Sequence, residues 1–420
     1  MEKRNKRRVV ITGIGVISPI GCGKEKFWDA LMSGKSGVGL VTRFDMSEFK
    51  TKIGALIEDF NPEEYGISLK DVKRMDLFTQ YGVAAALSAI KDANLKLAER
   101  NDDIGTMIGT GIGGLLTLEK EKEKLVKERQ PSRISPFLVP MMMPNATNAY
   151  VSILNRLTGT SPCFTNACAA GLYAIIYACK DIILGDCNVV IAGGSEAIFT
   201  EVAVGSFANM KALSRQNEDP QGASRPFDKN RDGFVMGEGA GVIVLEELEH
   251  ALARGAKIYA EIIGYATNTD AFHITAPDPK ATMIKKAIAD ALNRAGLKPK
   301  DVDYINAHGT STQLNDKIEA LAIREIFGDY RVLVGSTKSM TGHLVGAAGS
   351  VETIVCVLAI EKQIIPPTIN YQTPDPEIDL DIITQPQSAS LNVVLNNSFG
   401  FGGHNAVLVL KRYDAEREEG

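Results

Sequence analysis

Apolar positions in this chain gather in two kinds of segment. Short β-rich runs, Val9-Val10-Ile11, Val189-Val190-Ile191-Ala192 and Gly241-Val242-Ile243-Val244-Leu245, are continuous, as in strands covered on both faces. Between them lie helical stretches, Leu77 to Ala93 and Ala281 to Ala295. Their alternation predicts a layered α/β architecture with helices packed on sheets. A further segment passes from the turn-forming residues Gly159 to Gly171 into the helix-favouring Leu172 to Cys179, which puts Cys168 near a helix N-terminus.

The chain also repeats itself. Cys168-Ala169-Ala170-Gly171, with Ile176 eight residues after the cysteine, matches Gly346-Ala347-Ala348-Gly349, with Ile354 eight after the first glycine. The offset of 178 residues is too long for a solenoid and suits a duplicated domain. A boundary falls near Ala251 to Lys257, after the strand ending at Leu245 and the charged Glu246-Glu247-Leu248-Glu249. The expected division is residues 1–252, residues 253–412 and a solvated tail over 413–420.

Composition narrows the function classes. With 420 residues, 45% hydrophobic and 23% charged, the chain can build two core-bearing units in one body. Lys3, Arg4, Lys6, Arg7 and Arg8 form a basic patch, but the apolar run after it breaks at Thr12-Gly13, too early for a signal segment. No stretch is read as approaching the ~18 apolar residues of a membrane span, so no membrane partner is expected. A net charge of −5 argues against general nucleic-acid binding. The six cysteines contain no C-x-x-C pair, which indicates neither a disulfide framework nor a zinc ribbon and fits a reducing cytoplasm.

Cys168 carries the candidate chemistry. Unpaired N–H groups and the positive end of a helix dipole favour a thiolate, and such sites lower a cysteine pKa into roughly the 3.5–7.5 range. A thiolate can carry an acyl group. Most free cysteines are inert packing, so the company matters: Asn306-Ala307-His308-Gly309-Thr310-Ser311-Thr312 and Lys338-Ser339-Met340-Thr341-Gly342-His343-Leu344 each set a histidine among small residues suited to site-lining loops.

Together with Asn397-Ser398-Phe399-Gly400-Phe401-Gly402-Gly403-His404-Asn405, these contexts resemble the β-ketoacyl-acyl carrier protein synthases, especially the elongating type. The likeness runs from Arg8-Val9-Val10-Ile11-Thr12-Gly13 to Val407-Leu408-Val409-Leu410. It implies a thiolase-like fold of two pseudo-duplicated halves in α/β/α/β/α layers, with the repeated segments opening two buried central helices. It implies decarboxylative condensation of a Cys168-bound acyl group with a malonyl unit on acyl carrier protein, in a cytoplasmic homodimer, with no metal or redox cofactor. Two histidines suit an elongating synthase, whereas thiolases and chain-initiating synthases pair one histidine with an asparagine or second cysteine.

The same resemblance assigns His308 and His343 to stabilising the enolate oxygen formed on decarboxylation. The backbone N–H groups of Cys168 and Phe401 become an oxyanion hole, with the Phe401 ring as a gate between glycines. Glu319 is expected close to Lys338, either tuning protonation or forming a structural ion pair. Phe234 packs beside the malonyl site, Phe399 contacts substrate, Thr310 and Thr312 bind the pantetheine amides, and Ile112 and Phe207 line an acyl tunnel. Lys70, Lys73 and Arg74, at i, i+3 and i+4 and so on one face of a helix, join Arg133 and Lys211 as the docking face for an acidic carrier protein. Thr160, Gln313 and Ala276 depart from the family pattern, and none removes a group the reaction requires.

Two motif matches are set aside. Gly109-Thr110-Gly111-Ile112-Gly113-Gly114 fits G-x-G-x-x-G, yet no carboxylate at ribose-binding spacing accompanies it. Gly34-Lys35-Ser36 resembles the end of a P-loop, but Asp29 stands where that motif needs glycine. A polyketide ketosynthase would share fold and triad. A chain-length-factor-like partner subunit is disfavoured because such subunits lack the nucleophile.

Overall fold

A computed structural model describes residues 7–414; Lys3, Arg4, Lys6 and the tail from 415 onward lie outside the described residues. The first half contributes β1 (Val9–Ser18), β2 (Ile104–Gly109), β3 (Val189–Glu196) and β4 (Gly239–Glu247). The second contributes β5 (Ala260–Thr269), β6 (Tyr304–Asn306), β7 (Leu333–Gly335), β8 (Asp381–Ile382), β9 (Val393–Gly400) and β10 (His404–Lys411). They run in the order β8-β7-β6-β9-β10-β5-β1-β4-β3-β2, with Gly21–Cys22 added on β1. The halves meet where Val9 to Ile11 pairs antiparallel with Ala260 to Ile262.

Burial on both faces explains the continuous apolar strands. Every residue of β1, β2, β3 and β4 is buried. Because successive strand side chains point to opposite faces, Val189, Ile191, Val242 and Val244 meet the helix α1 (Leu77–Asp92) in one core. Val190, Ala192, Ile243 and Leu245 turn instead to α2 (Ala170–Leu184) and, further along the chain, α5 (Ala348–Lys362). In the second half Leu395, Val407 and Val409 face α3 (Thr282–Ala295) and α4 (Gln313–Phe327), while Val394, Leu408 and Leu410 face the central pair. The result is the expected α/β/α/β/α stack. A short helix, Leu248–Ala253, links β4 to the second half.

The internal repeat is geometric as well as verbal. One 3₁₀ turn, Ala167–Ala169, leads into α2, and its counterpart, Val345–Ala347, leads into α5, each helix running for 15 residues. Ala167 and Val345, the same 178 residues apart, both take the left-handed region at φ 48° and 45°. The two helix starts touch: a Cβ on Gly171 would lie 2.8 Å from the Gly346 carbonyl oxygen, so no side chain fits there.

One sequence expectation changes. Ala167–Leu184 has a mean hydropathy of 1.6 over 18 residues and passes a membrane-span test by length and composition. Its apolarity is that of a core helix, since α2 lies between sheets and Ala170 to Ile176 are all buried. Gly171→Val should therefore lower stability by about 1–3 kcal/mol, the usual cost of overpacking. Urea unfolding showing an unchanged midpoint would contradict this close contact.

Candidate active site

Segments far apart in sequence converge on one cavity of about 440 Å³ at the starts of the central helices. Cys168, Ile112, Phe207, Lys211, Phe234, His308, Thr310, Thr312, His343, Phe399 and Phe401 all line it. The turn before α2 presents Cys168. At the end of β9, Gly400 passes so close that a Cβ there would sit 3.2 Å from the Cys168 nitrogen. Gly402 and Gly403, at φ 83° and 72°, then make the turn that carries Phe401 past the thiol. Ser398 Oγ donates to the Cys168 carbonyl at 3.1 Å and fixes strand against turn.

Burial overturns the expected acidity of the thiol. It pushes Cys168 up to about 11, against the N–H groups of Phe401 and Cys168 and the nearby Lys338 cation, which favour the thiolate. Burial thus favours the neutral thiol.

The imidazoles of His308 and His343 stand edge to face with ring centroids 5.3 Å apart. Phe399 packs on His308 at 5.8 Å and Phe234 on His343 at 5.3 Å, so apolar edges fix both rings. The His343 backbone is pinned on both sides, its N–H donating to Val235 at 2.7 Å and its carbonyl accepting from Gly237 at 2.9 Å. Burial, the Lys338 cation and the neighbouring His343 hold His308 well below the usual imidazole value; burial and Lys338 do the same for His343. Both rings are neutral at neutral pH. Lys338 Nζ lies 3.4 Å from His308 Nδ1, and an ammonium can only donate, so the ring proton of His308 sits on Nε2.

The lysine's partner differs from expectation. Lys338 Nζ bonds Glu352 Oε1, with both side chains buried. Glu319 instead accepts the backbone N–H groups of His308 at 2.9 Å and Gly309 at 2.8 Å, and Asn397 Nδ2 at 3.1 Å. Its three donors tie the His308 loop to β9, and none is a lysine. Glu352 was the residue missed; its signal is a carboxylate inside the otherwise apolar run of α5. A second missed carboxylate, Glu196, is buried at the end of β3.

Other assignments sort by surroundings. Thr310 Oγ1 and Thr312 Oγ1 are 3.0 Å apart at the cavity, and Thr312 also caps α4 by accepting from Asn315 N at 3.3 Å. Buried Arg231 supports that loop through the Thr312 carbonyl at 3.0 Å, and Gln313 Nε2 returns a bond to the Arg231 carbonyl. Phe207 bridges Phe234 and Phe401 at 5.6 and 6.5 Å. Lys70, Lys73 and Arg74 do not share a helix face, because the helix spans only Leu69–Val72. Lys70 and Lys73 are exposed, whereas half-buried Arg74 lays its guanidinium 4.6 Å over Phe137. Exposed Arg133 pairs with Glu128 at 3.1 Å.

Comparison with known proteins shows the family. The profile of the β-ketoacyl synthase N-terminal domain matches residues 6–251, and that of the C-terminal domain matches residues 259–372. The chain belongs to the β-ketoacyl synthase family. This synthase is 48% identical over 417 residues to a 3-oxoacyl-[acyl-carrier-protein] synthase 2 of Synechocystis sp., covering 98% of this chain and all of the relative. It is 47% identical over 411 residues to the protein of the same description from Coxiella burnetii, covering 97% and 99%. Among solved structures, the ishigamide ketosynthase/chain length factor superposes with a TM-score of 0.91 at 38% identity, over 97% of this chain and 100% of that one. A type II polyketide acyl-carrier protein in complex with its ketosynthase bound to the hexaketide gives 0.90 at 35% identity, over 98% and 100%.

The Lys338 cation should be measurable at the imidazoles. In Lys338→Met the nearby positive charge is gone and protonation becomes easier, so the NMR titration midpoints of both histidines should rise toward the ordinary imidazole value. Glu352, pushed up to about 7 by burial even with Lys338 beside it, takes up a proton in that variant once the cation is gone. Unchanged or lower midpoints would show that Lys338 does not set the protonation of the pair.

Proposed function

We propose that this synthase elongates acyl chains by a two-stage transfer in which Cys168, His308, His343 and Phe401 act around the single cavity they line. That shared cavity is the observation carrying the reading. In the first stage Cys168 Sγ attacks the thioester of an acyl carrier. Its proton moves to a neutral imidazole in the cavity and on to the departing pantetheine sulfur. The thioester oxygen, negative in the tetrahedral intermediate, receives the N–H groups of Cys168 and Phe401. Removing one such donor typically costs ~2.7–4 kcal/mol.

In the second stage the bond between the malonyl carboxylate and its α-carbon breaks, carbon dioxide leaves, and the electron pair becomes an enolate. The N–H groups of His308 and His343 stabilise its oxygen. The enolate carbon attacks the acyl-cysteine carbonyl, and collapse expels the Cys168 sulfur, which regains a proton. The product is a 3-oxoacyl thioester one two-carbon unit longer. Neutral imidazoles suit this role because each keeps an N–H to donate while the dry cavity strengthens the bond.

Thr310 and Thr312 take the pantetheine arm, Phe234 and Phe399 bound the reacting centre, Ile112 and Phe207 guide the acyl chain, and Phe401 gates entry. Lys338, through Glu352 rather than Glu319, positions His308. Exposed Lys70, Lys73, Arg133 and Lys211, with Arg74 braced on Phe137, form the docking face for an acidic carrier; complementary charge speeds encounter more than it deepens affinity. A homodimer suits the apolar Leu118, Val126, Val139, Ile153 and Leu154 exposed on adjoining helices. The halves divide at 252/253, and the free cysteines fit a cytoplasmic setting.

Intact-protein mass spectrometry and carbon dioxide release separate the two stages. Cys168→Ala should take up no acyl group while keeping its fold. His308→Ala and His343→Ala should accept acyl groups in part yet lose roughly 10²-fold or more of malonyl decarboxylation. Acyl uptake by Cys168→Ala, or full decarboxylation by both histidine variants, would overturn the assignment.

A further inference from the structure

Glu196 is wholly buried and takes no part in the scheme above. Its carboxylate accepts Gly111 N at 2.6 Å, Gly346 N at 3.0 Å and Thr110 Oγ1 at 2.9 Å. Gly346 is the repeat partner of Cys168. The N–H that Glu196 occupies in one half therefore corresponds to the Cys168 N–H at the start of the other central helix.

The strands match as well. In β9, Ser398 sits over the Cys168 carbonyl, and two residues later Gly400 passes the Cys168 N–H. In β3, a Cβ on Gly194 would lie 2.5 Å from the Gly346 carbonyl oxygen, and two residues later comes Glu196. At this station β9 of the second half has a glycine, which leaves the Cys168 N–H of the first half to the cavity. β3 of the first half has a glutamate, whose side chain reaches the equivalent Gly346 N–H of the second. The fit is tight: a Cβ on Gly111 would stand 2.6 Å, and one on Gly346 2.7 Å, from Glu196 Oε2.

We propose that Glu196 is a positioning residue that plugs the pseudo-symmetric counterpart of the oxyanion hole and thereby locks two walls of the acyl cavity together. Ile112, next to Gly111, and Val345, next to Gly346, both line that cavity. The carboxylate between them sets their separation, and it satisfies backbone donors that would otherwise be buried without partners. Burial pushes the carboxyl up to about 7, against the bonds from Gly111, Gly346 and Thr110. The start of α5 thus retains an anion-receiving nest used for structure, while the start of α2 keeps its own open for the thioester oxygen.

This inference rests on the proposed role of the Cys168 and Phe401 N–H groups for its comparison, so its test includes a readout independent of catalysis. Glu196→Ala leaves a hole shaped for a carboxylate, and sodium formate is the probe. Formate should raise the melting temperature of Glu196→Ala with increasing concentration, as a ligand binding only the folded state does, and leave the native chain unaffected. Loading of Cys168 from an acyl carrier should fall roughly 10²-fold in the variant, the scale of a small misplacement at a reacting centre, and recover in formate. A melting temperature indifferent to formate, or a formate response without recovered loading, would overturn the proposal. Should Glu196→Ala fail to fold, Glu196→Gln keeps the volume but turns an amide toward N–H donors. It should load slowly while melting cooperatively, and native loading rates in it would equally overturn the proposal. A native chain that takes up no acyl group would count against the functional reading alone, since the thermal response to formate does not require turnover.

Discussion

Lys338 and Glu352 form an ion pair with both side chains buried behind His308, and the character of the site follows from it. Removing two charges from water is costly, and such a pair seldom adds net stability over apolar packing. Its consequence is electrostatic. Burial and a fixed cation 3.4 Å from His308 Nδ1 leave that ring neutral with its proton on the other nitrogen, and burial with the same cation keeps His343 from protonating. Two neutral donors in a dry cavity are what an enolate oxygen needs. The thiol, buried in the same place, is consequently not ionised at rest and must pass its proton on during the first transfer.

The duplicated fold supplies the frame that makes this burial possible. Two central helices start side by side with glycines at their contact, because backbone must approach backbone there. Each start leaves N–H groups unpaired, as helix ends do. The two starts resolve that demand differently, α5 with a glutamate and α2 with an open cavity beside Cys168. In the proposed reading, this asymmetry at one station of a symmetric scaffold confines the chemistry to Cys168.

Much of the fold was legible in the chain. Runs such as Val189 to Ala192 and Gly241 to Leu245 read as strands covered on both faces, and the structure packs alternate residues into different layers. The short match between 168–171 and 346–349 marked the paired helix starts. Cys168, His308, His343 and Phe401 stood in contiguous loop motifs, and the structure gathers all four at one cavity. What sequence order hid was lateral. The resemblance set Glu319 beside Lys338, but its carboxylate is taken by the His308 and Gly309 N–H groups, and Glu352, inside α5, is what the fold brings to the lysine. The spacing of Lys70, Lys73 and Arg74 promised one face, but a one-turn helix and the Phe137 ring redirect the arginine. Proximity to a helix start suggested an acidic thiol, and burial pushes it the other way, because desolvation grows with enclosure that local sequence does not reveal.

The central claim is that both imidazoles work as neutral donors held below their ordinary titration range. The pH dependence of carbon dioxide release from malonyl carrier protein tests it most directly. Lowered imidazole pKa values keep the N–H donor form populated as pH falls, so the single-turnover rate should stay level from about pH 8 through the ordinary imidazole midpoint of about 6.5 and beyond it. A rate that changes with a midpoint at that ordinary value would mean that the histidines titrate freely, and the electrostatic role given to Lys338 would be wrong.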